Sequence, residues 1–102
     1  MAVYAEIVQL KVSLDERRHY LAAMEKHRQL VAGEERIAHF LVLEDRDKLG
    51  QFIEILEYAS AEAQAALAAD ASFRERLAAL DREVESLLAG EKRARRVMVD
   101  RL

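Results

Sequence analysis

The chain has 102 residues, room for one domain spanning 1–102 and too few for two. Its 52% apolar and 34% charged side chains mark a globular chain, and 16 basic against 19 acidic residues, a net charge of −3, lack the basic footprint of a nucleic-acid-binding domain. With no Cys there is no disulfide framework, thiolate zinc site or Cys nucleophile. No apolar run nears the ~20 residues of a membrane span, so a reduced, cytoplasmic setting away from membranes is expected.

Val3 to Val12 alternates as a strand. Tyr4, Glu6, Val8, Leu10 and Val12 fall on one side, and Val3, Ala5 and Ile7 on the other. Ser13-Leu14-Asp15-Glu16 then fits a capping box, with Asp15 and Glu16 at the positive end of a helix dipole. The spacing predicts a helix to about Ala32, with Leu14, Leu21, Met24 and Val31 on the apolar stripe, Tyr20 beside it, and Gly33 as the left-handed cap.

Residues 37 to 56 read IAHFLVL, a charged connection ending in Gly50, and then FIEIL. Two apolar runs around such a connection predict a β-hairpin with more than a two-residue loop. Ile37, Leu41 and Leu43 are expected on one face of the first run, and Ala38, Phe40 and Val42 on the other. In the second run Phe52 and Leu56 oppose Ile53 and Ile55, so the hairpin is apolar on both faces and both need a cover.

Ser60 is placed to cap a helix through the Ala-rich AEAQAALAA run. Asp70-Ala71-Ser72 interrupts it, and Ser72-Phe73-Arg74-Glu75 offers a second capping box for a fresh start. Phe73, Leu77, Leu80, Val84 and Leu87 form the next stripe, which Gly90 closes. Val97, Met98 and Val99 centre a last strand.

The order β-α-β-β-α-β, with its second helix split, predicts an α+β ferredoxin-like sandwich: a four-stranded antiparallel sheet with helices on one face. The other face stays apolar and bare, over more area than a monomer usually exposes. A second copy packed sheet to sheet about a two-fold axis is the simplest cover, so a homodimer is expected.

The segment FIEILEYASAEAQAALAADASFRERLAAL resembles the third strand and split helix of the dimeric α/β-barrel family, most closely its antibiotic-biosynthesis-monooxygenase-like group. The matching residues are Glu57, Tyr58 (often Trp in that group), Ser60, Glu62 and Ala63, then Ser72 and Phe73 at the helix restart. The resemblance implies a dimeric barrel with a pocket between sheet and helices in each subunit. It also implies cofactor-independent oxygenation of an aromatic substrate as one activity of such proteins. The haem-degrading branch pairs a strand Asn and a pocket Trp with a helix His. This chain has no Asn and no Trp, and Leu77 stands at the helix position, so haem degradation is disfavoured.

Three residues are candidates for chemistry. Tyr58 is expected on the pocket face, where its hydroxyl could orient a ligand oxygen; the plainer role is a core Tyr with its hydroxyl at the rim. Glu54, a carboxylate in an apolar strand, needs a partner, with Arg96 or His39 the candidates; Glu6 raises the same question. His39 depends on register. If Leu43 pairs with Phe52, it joins Glu54 and Tyr58 in an acid/base cluster, and a shift of one residue sends it to the dimer face. His19 and His27 lie eight residues apart, too far to share a metal on one helix, so neither metal nor cofactor is called for. Lys92, Arg93, Arg95 and Arg96 form a basic cluster without interleaved aromatics, suited to ion pairs or an anion rim and not to nucleic acid. The expected function is therefore a cofactor-independent monooxygenase-like activity on a small aromatic substrate. The alternative is a non-catalytic small-molecule-binding or structural homodimeric barrel.

Overall fold

A computed structural model describes residues 2–102. Strand β1 (Ala2–Lys11) leads through a short 3-10 turn (Leu14–Glu16) into helix α1 (Arg17–Val31). The hairpin strands β2 (Ile37–Glu44) and β3 (Gln51–Tyr58) follow, then helices α2 (Ala61–Ala69) and α3 (Ala71–Glu85), and strand β4 (Arg93–Asp100). The strands form one antiparallel sheet in the order β2-β3-β1-β4. This is the ferredoxin-like α+β arrangement expected from the element order.

The helices cover the sheet face that carries Tyr4, Glu6, Val8 and Leu10 of β1 and Phe52, Glu54, Leu56 and Tyr58 of β3. Two core clusters grip this face at opposite ends. One joins Leu10, Val12 and Phe52 to Tyr20, Ala23 and Met24 of α1 and Val84 of α3. The other joins Tyr58 to Leu67 of α2 and Phe73 of α3. Burying a side chain such as Met24 contributes about 1.5–3 kcal/mol. The wholly buried Tyr20 ring packs 4.2 Å from Phe52.

Local chemistry departs from the sequence expectation at several points. Ser13 makes no side-chain cap; Glu16 donates its backbone N–H to the Ser13 carbonyl, and the α-helix starts only at Arg17. Ser60 does cap α2, accepting from the Ala63 N–H at 3.0 Å. The restart of α3 is capped two residues before the predicted Ser72: the Asp70 carboxylate accepts from the Phe73 N–H at 3.1 Å and from Arg36 at 3.0 Å. These donors hold the Asp70 carboxyl below its usual pKa, the Phe73 amide first. Helix α3 ends at Glu85, before Gly90, because Leu88 bridges to Val12 and Ala89 donates to the Lys11 carbonyl. Leu14 of the 3-10 turn and Leu21 of α1 face solvent, while Tyr20, Ala23, Met24 and His27 form the buried stripe of α1.

Glu44 anchors the loop of the hairpin. It accepts from Arg17 at 2.7 and 2.9 Å and from the Gly50 N–H at 3.0 Å. The Arg17 hydrogen bonds, then the Gly50 amide, hold its carboxyl down to about 2. A depressed folded-state pKa gives stability that is present above the unfolded value and lost as pH falls through the folded one. Thermal unfolding from pH 6 down to pH 2 should therefore show wild type losing more Tm than Glu44→Gln. Equal losses would exclude this anchor as a source of acid sensitivity.

Gly50 itself sits at φ +92°, and a Cβ there would meet the Val12 carbonyl oxygen at 2.5 Å. That carbonyl belongs to a backbone whose N–H donates to Gly50 at 2.8 Å, so neither strand can yield freely. Gly50→Ala should cost at least the ~1–3 kcal/mol of left-handed strain. Gly33→Ala, at φ +79° with open space around it, should cost less. Thermal unfolding of the pair measures the clash separately from the strain, and equal losses would argue against the clash.

Candidate functional site

Between the two core clusters the sheet and helices enclose a cavity of about 100 Å³. Its walls are apolar: Val8, Leu10, Phe40, Leu56, Phe73, Leu77 and Val84. Into it project Glu6, His27, Glu54, Tyr58, Asp81 and Lys92. Ala94, Arg96 and Met98, which share the helix side of the sheet with Glu6, are exposed, so β4 forms the open side.

Period-two alternation brings Glu54 and Tyr58 to the helix side, as expected. The partner of Glu54 is neither Arg96 nor His39. The Tyr20 hydroxyl, delivered from α1, donates to its Oε2 at 2.8 Å. Burial raises the Glu54 pKa; the Tyr20 hydrogen bond and the His27 charge only partly oppose it. Tyr58 is buried, and its hydroxyl lies 3.5 Å from Glu6 Oε2, which Arg96 Nε reaches at 3.4 Å. Burial first, then the Glu6 charge, pushes the Tyr58 phenol up to about 12, so it stays a neutral donor at ordinary pH. The Tyr4 ring meets it edge-on at 5.8 Å.

His39 does not join them. Leu43 pairs with Ile53 and not with Phe52, which sets His39 opposite Glu57 on the sheet face away from the helices. A bulge between Ile37 and His39 shifts the alternation by one residue, so Ile37 packs on the helix side with Tyr58 and His39 is exposed. The histidine of the cavity is His27. Sequence reasoning set it aside as half of a poorly spaced pair with His19. The signal was its position, seven residues after Tyr20 and three after Met24, on the buried face of α1. His19 is exposed beside Glu16 at 2.9 Å.

His27 is held in a defined state. Its Nδ1–H donates to the Ala23 carbonyl at 3.0 Å, and Nε2, the nitrogen that gains or loses the ring's second proton, faces Asp81 Oδ1 at 3.5 Å. Burial opposes charging of the ring. The Asp81 contact, the Ala23 carbonyl and the Glu54 charge outweigh it, and the His27 pKa lies above its ordinary value. The ring also lies parallel to Phe40 at 6.3 Å. Asp81 lines the cavity from α3 with Leu77 and Val84, its side chain still half-exposed.

The basic cluster divides. Lys92 pairs with Glu85 at 3.4 Å and Arg96 with Glu6, while Arg93 and Arg95 belong to the opposite sheet face. Among the described residues no group of three or more His, Asp or Glu side chains is arranged to hold a metal ion.

The fold defines a class. It is a four-stranded ferredoxin-like sandwich with a split second helix, and its fold is similar to those of solved structures described as antibiotic biosynthesis monooxygenases. A protein from Nitrosomonas europaea, described as a "putative antibiotic biosynthesis monooxygenase", is similar at TM-score 0.75 and 21% identity over 98% of this chain and 90% of its own. A counterpart so described from Caulobacter crescentus CB15 matches at TM-score 0.79 and 14% identity, over 98% and 92% of the two chains. A cofactor-independent oxygenase from Streptomyces nogalater matches at TM-score 0.75 and 13% identity, over 98% and 95%. At these identities the likeness is one of fold. No protein-family model matches the chain, and no curated protein matches it.

Proposed function

We propose that the protein is a cofactor-independent monooxygenase-like enzyme acting on a small aromatic substrate in this cavity. The observation that carries it is the convergence of His27 with Asp81, Glu54 and Tyr58 inside apolar walls. The fold is shared with an oxygenase that needs no cofactor, which supports the chemistry. The cavity, about 100 Å³ and open toward β4, is smaller than the ~150 Å³ that accommodates benzene, which limits a substrate there to no more than a single ring. His27 Nε2 removes the phenolic proton and Asp81 stabilises the imidazolium. Tyr58 donates to a ligand oxygen. The electron-rich phenolate then reacts with O₂: one oxygen replaces a ring hydrogen, the other leaves as water, and a phenol becomes a quinone with all electrons supplied by the substrate.

The test is O₂ uptake by the purified protein with phenol and its monosubstituted derivatives, with quinone and water as products. Uptake no faster than in buffer across that series would overturn the proposal.

The proposal includes a homodimer. The face away from the helices carries Ile7, Ile53, Ile55, Leu41, Leu43, Val97 and Val99, and Leu41 and Leu43 are 51% and 48% exposed. Among the described residues no helix is long and apolar enough to cross a membrane. A sheet-to-sheet pair is the cover proposed for that face.

A further inference from the structure

The cavity holds an acid and a base, and these two can work without dioxygen. Glu54 is gripped from behind: Tyr20, wholly buried, donates to Oε2, and the other carboxyl oxygen has no hydrogen-bond partner among the described residues. Glu54 lines the cavity, so that oxygen is free for a ligand. His27 lines the same space, with its Nε2 beside Asp81 Oδ1 at 3.5 Å. Tyr20 and His27 stand two turns apart on one stripe of α1, so one rigid helix sets both groups.

We propose that the cavity catalyses a redox-neutral 1,3-proton transfer in single-ring unsaturated ketones, with His27 as the carbon base and Glu54 as the hydrogen-bond donor to the carbonyl oxygen. His27 Nε2 takes a proton from the carbon between the carbonyl and the double bond. The C–H pair forms a dienolate whose oxygen accepts from the Glu54 carboxyl. The proton then returns from His27 to the far carbon of the former alkene, the carbonyl re-forms, and the double bond ends conjugated with it. One C–H bond breaks and one forms, with no oxidant, no reductant and no net proton. A carboxyl kept neutral by apolar surroundings can stabilise an enolate in this way. Burial of Glu54 favours that neutral form. The inference rests on the same cavity as the oxygenase proposal but not on its reaction with O₂.

The experiment uses the whole chain under argon with 3-cyclohexen-1-one, following the ultraviolet absorbance of 2-cyclohexen-1-one. The expected result is isomerisation faster than in buffer containing an equal concentration of imidazole. His27→Gln should lose about 100-fold or more. Glu54→Leu should lose a comparable factor, whereas Glu54→Gln, whose amide can still donate, should retain activity to within about tenfold. Should Glu54→Leu fail to fold, Tyr20→Phe serves instead, with a lower rate and an unchanged far-ultraviolet spectrum expected. Isomerisation no faster than the imidazole control overturns the inference, as does a rate indifferent to these variants. O₂ uptake with phenol, measured separately in air, tells this failure from failure of the oxygenase proposal.

Discussion

Ile55→Asp should turn a dimer of twice the 11.7 kDa chain mass into a monomer, measured by light scattering at micromolar concentration. Ile55 lies between Ile7 of β1 and Leu41 of β2, at the middle of the uncovered sheet face. In a single chain an Asp there projects into water, and the core on the other face is untouched. In a two-fold pair it would be buried, and symmetry places two such charges in one interface. An unpaired buried charge costs about 3–5 kcal/mol, enough to move a micromolar equilibrium by more than two orders of magnitude. Leu49→Asp, in the exposed hairpin loop, should leave the mass unchanged. A monomeric wild type would sink the dimer. A dimeric Ile55→Asp would place the interface elsewhere.

Much of the architecture was legible because punctuation and period agree. Ser60 and Gly33 act where their chemistry predicts, and β1 shows its two faces in the expected alternation. The hairpin was not legible at the level of register. With Phe40 and Val42 on one side and Leu41 and Leu43 on the other, both registers bury apolar residues, so hydrophobicity gives no preference. The pairing of Leu43 with Ile53 then decides which face takes the only histidine of the sheet, and the bulge at Ile37/His39 only returns Ile37 to the helix side. On α1 the expected stripe ran through Leu21 because polar His27 and small Ala23 hid the true one. The same rule that singled out Glu54, a polar residue on an apolar stripe, would have found His27 if applied to α1, whereas Asp81, with its side chain half-exposed, gives no such signal. Asp70 was passed over as a cap because Ser72–Glu75 fits the capping-box pattern, yet Arg36 anchors the carboxylate two residues earlier.

His27→Gln should lower kcat for phenol oxidation by about 10²–10⁴-fold, the contribution of a positioned general base, and should leave KM little changed. Gln is of similar bulk and keeps the contacts with the cavity walls, but it has no titratable nitrogen. In wild type the activity should rise with pH as the ring loses its proton, because only neutral His27 has a lone pair on Nε2. Burial opposes the charge of the ring; of the groups facing it, Asp81 from α3 favours that charge, and Glu54 from β3 does so in its ionised form. The net pKa is raised, and this fixes the sign for stability as well. The stabilising share of protonated His27 is fully present below the unfolded value of about 6.5 and disappears as pH rises through the folded value. The Tm difference between wild type and His27→Gln should therefore be larger at pH 6 than at pH 9, a measurement that needs no substrate. A Tm difference that grows with pH would mean that His27 is buried as a neutral ring. Asp81 would then not be its ion-pair partner, and the base would have to be sought in Glu54.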